Sequence, residues 1–274
     1  PYTTLFRSLE IFPDDSNLYF NMGICYEKLK EFDKALIACK KAVEYKPDEP
    51  DFLYNLALVY EILGDIDNSM ENFKKVIFYK PQDANAFFSI GVLYFKKGEY
   101  ETAIKCYKKS IEYNYSDYFA HFHLAEAYKK INEFDFALSE YKKVVELSSD
   151  YSWAYYNMAE IYFELGKIDD SIEMLKKTIE KNKNDIEAVK LLVQILIKEN
   201  KKQQAQEFLE TLLQEKPNGD LFYLLSKSYE GLDEEKYQTA LSLALENKET
   251  LSYEFKSVKG EFELSKENFK ENNE

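Results

Sequence analysis

Residues 16–49 read SNLYFNMGICYEKLKEFDKALIACKKAVEYKPDE, and this pattern returns every 34 residues along much of the chain. In the first half, Leu18, Tyr19, Met22 and Tyr26 follow the three- and four-residue spacing of a helix with one apolar side. The polar stretch KEFD follows, and KALIACKKAVEYK again has a helical pattern. The unit is therefore predicted to be two helices joined by a short turn.

Five columns of residues share this register, which makes the repeat unmistakable. One holds only tyrosine: Tyr26, Tyr60, Tyr94, Tyr128 and Tyr162. The others hold a large apolar residue (Met22, Leu56, Ile90, Leu124, Met158, Leu192), a small residue directly after it (Gly23, Ala57, Gly91, Ala125, Ala159), Ala or Ser (Ala35, Ser69, Ala103, Ala137, Ser171) and proline (Pro47, Pro81). The small residues allow the two helices to approach closely. Because neither helix can bury its apolar side alone, stacked units are expected to form the core.

The ends of the helices carry their own signals. Glycines in the turn, at Gly64, Gly98 and Gly166, suit a helix C-cap, where a positive φ is accessible to glycine. Carboxylates after the turn are predicted to be N-caps of the second helix: Asp33, Asp67, Asp135 and Asp169. Pro47, Pro81 and Pro217 are expected to end the second helix.

Helix pairs of this period resemble tetratricopeptide repeats. The family signature is an aromatic, Leu-Gly, Tyr, Ala, an aromatic, Ala and Pro. The first unit follows it at Tyr19, Met22-Gly23, Tyr26, Ala35, Cys39, Ala42 and Pro47. The resemblance covers residues 16–217 and implies an all-α fold, a right-handed α-solenoid of stacked antiparallel helix pairs with a 34-residue period.

The register divides the chain into successive repeats. Repeats 1 to 6 are predicted at 16–49, 50–83, 84–117, 118–151, 152–185 and 186–218. Near residue 219 the register slips by one, so that 219–250 forms a degenerate repeat 7. Residues 251–274 are rich in Lys and Glu and are predicted to form a capping helix and a charged tail that frays at about 268.

The start of the chain departs from the repeat. Pro13 lies one period before Pro47, so residues 1–15 are predicted to be the second helix of a truncated repeat. The opening PYTTLFRS resembles the translated end of a common sequencing adapter. We hypothesise that residues 1–8 are adapter-derived and that the protein is a fragment lacking its native N-terminus; the alternative is a genuine helix. Under the hypothesis, any N-terminal signal or upstream domain would be missing from view.

Composition narrows the function. The formal charge of −14 argues against nucleic acid as a partner, because phosphate binding needs a basic face. No stretch approaches the ~18 consecutive apolar residues of a membrane span. Three cysteines without paired spacing favour a reducing compartment. A cytoplasmic location is therefore favoured, although the sequence leaves the compartment open.

The resemblance implies that the first helix of each repeat lines a concave groove. Aromatic residues are predicted to form a binding patch in repeats 3 to 5: Phe88, Phe95, Phe119, Phe122, Trp153, Tyr156 and Phe163. Phe119 and Trp153 occupy a column that is otherwise polar, which is typical of binding anchors. The alternative is aromatic packing between repeats. Polar contacts within the patch are assigned to His123, Glu126, Asn157 and Glu160.

Asparagines supply a second candidate feature of the groove. Asn21, Asn55 and Asn157 share a column, and an amide can both donate to and accept from an extended peptide backbone. Some members of the family use such a ladder. The alternative, favoured for any single asparagine, is a structural role.

The sequence predicts no catalytic centre. It lacks a phosphate-binding loop and a nucleophile elbow. His121 and His123 point apart on a helix, so neither a metal nor a cofactor is expected, and His121 is expected to pack in the core. The favoured function is a non-catalytic scaffold that binds a protein or peptide. The alternatives are a targeting region of a larger enzyme (a glycosyl- or sulfotransferase, or a sensor kinase) and self-association.

Overall fold

The computed structural model describes residues 11–215, 217–253 and 255–271, and their regular structure is helical throughout. The chain forms two compact units that meet between Ser149 and Asp150, and each is described on its own. Residues 1–10 of the truncated repeat predicted at 1–15, and with them the adapter hypothesis for residues 1–8, lie outside the described residues.

The first unit contains four helix pairs, which correspond to repeats 1 to 4. Their helices are α1 (Ser16–Lys28), α2 (Phe32–Tyr45), α3 (Pro50–Ile62), α4 (Ile66–Tyr79), α5 (Ala84–Lys96), α6 (Tyr100–Tyr113), α7 (Tyr118–Lys130) and α8 (Phe134–Leu147). Each first helix packs against the second helix of its own repeat, and α2, α4 and α6 each pack against the first helix of the next repeat. The unit is thus a stack of helix pairs, as predicted.

The second unit contains three further pairs and a closing helix. Its helices are α9 (Ser152–Glu164), α10 (Ile168–Lys181), α11 (Ile186–Lys198), α12 (Lys202–Glu215), α13 (Gly219–Tyr229), α14 (Glu234–Glu246) and α15 (Phe255–Glu271). A single 3₁₀ turn, Lys248–Thr250, separates α14 from α15. The closing helix packs against α14 and continues to Glu271, past the position where the sequence predicted fraying.

A close approach between the two helices of each repeat forms the core. Large side chains on the second helices are almost completely buried, at Cys39, Phe73, Tyr107, Tyr141, Leu175 and Leu209. In repeats 1 to 5 the facing position on the first helix is Gly or Ala. A Cβ added to Gly91 would lie 2.6 Å from the Tyr107 ring, so the ring occupies the space that a side chain would need. In repeat 6 this position is Val193, and fewer residues of α11 and α12 come close to one another than in the other pairs.

The turn within each repeat has the backbone that the glycine column predicts. Gly64, Gly98 and Gly166 have φ values of 79°, 78° and 71°. The same column contains Lys30, Asn132 and Asn200, which also have positive φ. The turn geometry is therefore a property of the repeat, and the residue type only changes its cost.

The predicted N-caps of the second helices are wrong by two residues. Asp33, Asp67, Asp135 and Asp169 lie inside the first turn, where a carboxylate still interacts favourably with the helix dipole. The N-cap residue comes earlier because the positive-φ residue ends the turn sooner than expected. At that earlier position, the Asp65 side chain accepts the backbone N–H of Asn68 at 3.2 Å.

The first helices have caps that the sequence reading missed. Backbone N–H groups in their first turns donate to the side chains of Asp15, Asp83, Asp117, Asp185 and Asn218. The four aspartates lie on the 34-residue register, and Asn218 lies one residue early, after the register slip.

We expect Gly91→Ala to destabilise the protein although alanine is the better helix former. The added methyl group overlaps the buried Tyr107 ring, and overpacking of this kind costs about 1–3 kcal/mol. Gly260→Ala is the matched control, because Gly260 lies in α15 with open space around its Cβ position. The control should gain up to about 1 kcal/mol from helix propensity. Urea unfolding followed by circular dichroism measures both, and equal effects of the two substitutions would contradict the close-approach argument.

Candidate functional site

One stripe of each first helix is not covered by the neighbouring helices of the stack. We call it the first-helix face and define it by the second and fifth residues of each first helix. The second positions are Asn17, Asp51, Asn85, Phe119, Trp153, Glu187 and Asp220. The fifth positions are Phe20, Tyr54, Phe88, Phe122, Tyr156, Lys190 and Tyr223. Except for Asp220, the second positions are exposed, whereas the fifth positions are all half-buried.

In the first unit, aromatic rings surround His123 on α7. The Phe88 ring lies 5.3 Å from the imidazole centroid, edge to face, and the Tyr107 ring stacks on it at 5.9 Å. Phe122 lies edge-on at 5.7 Å. Burial among these rings lowers the pKa of His123, and the carboxylates of Glu126 and Asp117 oppose that shift. The candidate residues Phe88, Phe122 and His123 therefore do come together, largely as packing between repeats 3 and 4.

Glu126 has a specific partner in this cluster. The Tyr141 hydroxyl donates to its Oε1 at 2.7 Å, so the carboxylate joins the two helices of repeat 4. Tyr107 occupies the corresponding position in repeat 3, where Val92 replaces the glutamate. The Tyr107 hydroxyl is buried and has no hydrogen-bond partner among the described residues. Two equivalent tyrosines therefore differ in whether their hydroxyl groups are satisfied.

Phe119 and Phe95 differ in exposure. Phe119 is 45% exposed, and its ring stacks on the adjacent Tyr118 with centroids 4.3 Å apart. Phe95 is half-buried at the end of α5, where it contacts the Tyr100 ring at 5.2 Å. Of the predicted aromatic residues in the first unit, Phe119 offers the most surface.

The second unit carries the remaining predicted aromatics on α9. Trp153 is 56% exposed and contacts the Tyr156 ring edge-on at 6.1 Å. Burial, reinforced by the nearby carboxylates of Glu160, Glu187 and Asp185, raises the pKa of Tyr156 to about 12. The Tyr156 hydroxyl is also hydrogen-bonded to Glu160.

Phe163 lies further along the same helix. The ammonium of Lys198 is 5.4 Å from the centre of its ring. This distance suits a cation–π contact between α9 and α11. The Phe163 ring therefore has a partner within its own unit.

The asparagines of the proposed ladder behave differently from one another. Asn55 donates to the backbone oxygen of Asp51 at 3.1 Å, and Asn157 donates to that of Trp153 at 2.9 Å. Both bonds stay inside a helix, and Asn157 is buried. Asn21 is exposed. At Asn55 and Asn157 these contacts favour the structural alternative.

His121 lies in the core as expected, but its buried side chain is held by polar contacts as well as by apolar packing. It is buried, with Nδ1 2.7 Å from Glu140 Oε2 and Nε2 3.1 Å from the Tyr115 backbone oxygen. Within the described ranges there is no group of three side chains placed to hold a metal ion. Over the same residues, none of the helices combines the length and apolarity that crossing a membrane would require.

The first-helix face of the second unit also contains a buried carboxylate that was not predicted from the sequence. Asp220, at the second position of α13, is buried and binds the chain's own Ser252. The register slip near residue 219 was visible in the sequence and places Asp220 in line with Trp153 and Glu187. That residues so far along the chain fold back onto it was not visible.

Comparison with known proteins identifies the family. Tetratricopeptide repeat profiles match residues 16–49, 84–114, 38–71, 132–191 and 166–227. The chain therefore belongs to the tetratricopeptide repeat family, whose repeats typically mediate protein–protein interactions. No curated protein matches the sequence.

Solved structures share the fold. A crystal structure of MamA is 25% identical, with a TM-score of 0.57 over 59% of this chain and 95% of that one. YrrB, whose structure is described as a TPR protein with an unusual peptide-binding site, is 21% identical, with a TM-score of 0.58 over 68% of this chain and 96% of that one. PilF of Pseudomonas aeruginosa is 14% identical, with a TM-score of 0.63 over 83% and 96%.

Removing one hydroxyl should have opposite effects at the two equivalent tyrosines. Tyr141→Phe deprives Glu126 of its donor and should cost about 1 kcal/mol. Tyr107→Phe removes a buried hydroxyl without a partner and should be neutral or stabilising by about 1 kcal/mol. Urea midpoints compared with the wild type measure both. Equal losses would show that the Tyr107 hydroxyl is satisfied in solution.

The buried His123 should make stability depend on pH. Folding lowers the pKa of His123, because the buried site favours the neutral imidazole. The folded state therefore has its full stability above pH 6.5, the ordinary pKa of histidine, and loses stability as the pH falls below that value. His123→Asn is the matched variant, because Asn21, Asn55 and Asn157 occupy this position in other repeats. Between pH 7 and pH 5 the wild type should lose more stability than His123→Asn in thermal unfolding. Parallel curves would contradict the assignment.

Proposed function

We propose that the protein is a non-catalytic scaffold that binds protein segments on its first-helix face, with Phe119 and Trp153 as anchors in their respective units. The observation that carries this proposal is the exposure of the two side chains, at 45% and 56%. In neighbouring repeats the same position is polar, at Asn17, Asp51, Asn85 and Glu187. The helix stack is built at those repeats without an aromatic residue there, so the stack does not require one.

The surroundings of the two residues suit a bound peptide. Phe119 lies beside Tyr118, and Trp153 lies beside Tyr156 and its partner Glu160. The Phe119 site thus offers two stacked rings, and the Trp153 site combines aromatic surface with a nearby carboxylate. Exposed Trp and Tyr side chains contribute most to binding when a partner removes them from water, and each can supply about 2 kcal/mol or more.

The family supports a binding role rather than chemistry. Tetratricopeptide repeats typically act as scaffolds, and YrrB is described as having a peptide-binding site. Because YrrB is only 21% identical, its similarity to this chain establishes a shared fold. The argument for peptide binding by this chain is therefore based on the chain's own side chains.

Selection of random peptides on the wild-type protein tests the proposal. Peptides enriched on the protein should bind at least tenfold more weakly to Phe119→Asn or to Trp153→Asn, because each loses an anchor worth about 1.4 kcal/mol or more. Fluorescence polarisation with each purified peptide measures the affinities. Asparagine is chosen because it occupies the same position in Asn17 and Asn85.

Phe78→Asn is the control. Phe78 is 77% exposed on α4, which is a second helix and does not belong to the first-helix face. The substitution Phe78→Asn should therefore leave peptide binding unchanged. Peptides that bind both anchor variants as tightly as the wild type would refute the proposal. So would failure to enrich any peptide, since the anchors would then have no ligand of this class.

A further inference from the structure

The chain's own segment Lys248–Tyr253 lies on the first-helix face of repeats 6 and 7, between α14 and α15. The backbone N–H of Ser252 donates to Asp220 Oδ1 at 2.6 Å, and the Ser252 hydroxyl donates to Asp220 Oδ2 at 2.7 Å. The backbone N–H of Gly219 donates to the Thr250 hydroxyl at 2.7 Å. The segment is therefore held by the start of α13 through one backbone group and two hydroxyl groups.

The Tyr253 side chain lies between two residues at fifth positions of this face. Its ring centroid is 4.3 Å from that of Tyr223, and the Lys190 ammonium lies 5.0 Å from the Tyr253 ring. Lys190 also donates to the Ser252 hydroxyl at 3.1 Å and to Glu187 at 2.9 Å. A cation and an aromatic ring thus hold one aromatic side chain between them.

The segment explains why Asp220 differs from its counterparts. The second position is exposed in all other first helices described, but Asp220 is only 4% exposed. A buried carboxylate is unfavourable unless it is hydrogen-bonded and paired. Ser252 supplies two donors, and the Lys190 ammonium lies 3.8 Å from Asp220 Oδ2. The site is complete only when a chain occupies it.

Gly219 shapes the site for close contact with a backbone. A Cβ at Gly219 would lie 2.6 Å from the Asn247 oxygen and 3.0 Å from the Leu251 nitrogen. Any other residue would push the segment away. The start of α13 therefore presents an N–H donor and a carboxylate across a surface without a side chain between them, which suits the close approach of a polypeptide backbone.

We propose that Glu187, Lys190, Gly219, Asp220 and Tyr223 form a binding site for protein segments in which a small hydroxyl residue precedes an aromatic one. In the free protein Thr250–Tyr253 occupies this site, and a partner segment of the same chemistry displaces it. The contacts that hold Ser252 and Tyr253 come from a backbone N–H, a hydroxyl group and a ring. Another chain can offer all three equally well.

Displacement does not require the unit to unfold. The closing helix is anchored separately, through the buried Val258 and through Gln238, which donates to the backbone oxygen of Ser265 at 2.9 Å. Glu261 on the same helix accepts from the Tyr223 hydroxyl at 3.1 Å and pairs with Lys227 at 2.8 Å. These contacts keep α15 in place while residues 248–253 leave the site. The proposal does not depend on Phe119 or Trp153, so failure of either proposal leaves the other standing.

A labelled peptide with the sequence NKETLSY, residues 247–253, tests the proposal in the full chain. The variant Ser252→Ala/Tyr253→Ala weakens the internal segment and should bind the peptide. The wild type should bind it at least tenfold more weakly, because a tethered segment competes at an effective concentration on the order of millimolar. Fluorescence polarisation measures both affinities.

Two controls locate the binding. The peptide NKETLAA should not bind the variant, because it lacks the hydroxyl and the ring. Adding Asp220→Asn to the variant should abolish binding of NKETLSY, because the carboxylate that accepts two hydrogen bonds is gone. Equal binding to wild type and variant, no binding to the variant, or binding that survives Asp220→Asn would each overturn the proposal.

Hydrogen exchange of the unmodified protein provides a measurement independent of any substitution. Excess unlabelled NKETLSY should accelerate exchange of the Ser252 amide while the amides of α13 and α14 keep their protection. If the Ser252 amide exchanges as slowly as those of α13 and does not respond to the peptide, the segment is a fixed part of the fold and the proposal fails.

Discussion

In repeats 1 to 5, a small residue on the first helix lies against a buried side chain of the second helix, and this contact controls how closely the two helices pack. At Gly91 and Tyr107 the fit leaves no space for even one methyl group. Because the contact recurs in these repeats, it sets how each of their helix pairs closes and hence which sides remain for the neighbouring pairs. Where the small residue is lost, at Val193, the pair makes less contact.

In this arrangement, packing of the helices does not require a particular residue type at the second positions of the first-helix face. The residue there is asparagine, aspartate, glutamate, phenylalanine or tryptophan in different repeats, and the stack accommodates them all. A position free of packing requirements can be specialised for binding. Phe119 and Trp153 use it for exposed aromatic surface, whereas Asp220 uses it for a buried carboxylate with its own ligand.

The contacts of Asp220 show what kind of ligand this face can hold. Its carboxylate accepts a backbone N–H and a hydroxyl group, while Lys190 and Tyr223 enclose a ring. These are interactions with a segment of polypeptide, made on the same helix positions that elsewhere carry exposed aromatic residues. The second unit therefore contains, within one polypeptide, an example of how a segment lies on its first-helix face.

From the amino-acid sequence we could predict the helix pairs, their period, the small residues at the close approach and the positive-φ turns. Each of these depends on local spacing or on one residue type, such as Gly64 in the turn. Phe88 lies against His123 because neighbouring repeats place equivalent helix positions side by side. The prediction from sequence was wrong for the caps at Asp33 and its equivalents, since one residue of positive φ changes where a helix begins.

Which polar groups are hydrogen-bonded, and which side chains are covered, depends on the folded arrangement and could not be predicted from the repeat. A repeat pattern does not contain the distances that pair Tyr141 with Glu126, that keep the amide bonds of Asn55 and Asn157 inside their own helices, or that leave the Tyr107 hydroxyl without a hydrogen-bond partner among the described residues. The return of Ser252 to Asp220 joins residues outside the 34-residue register, across a turn with no periodic signal. Periodicity determines which neighbours recur, whereas a contact made only once has to be seen in three dimensions.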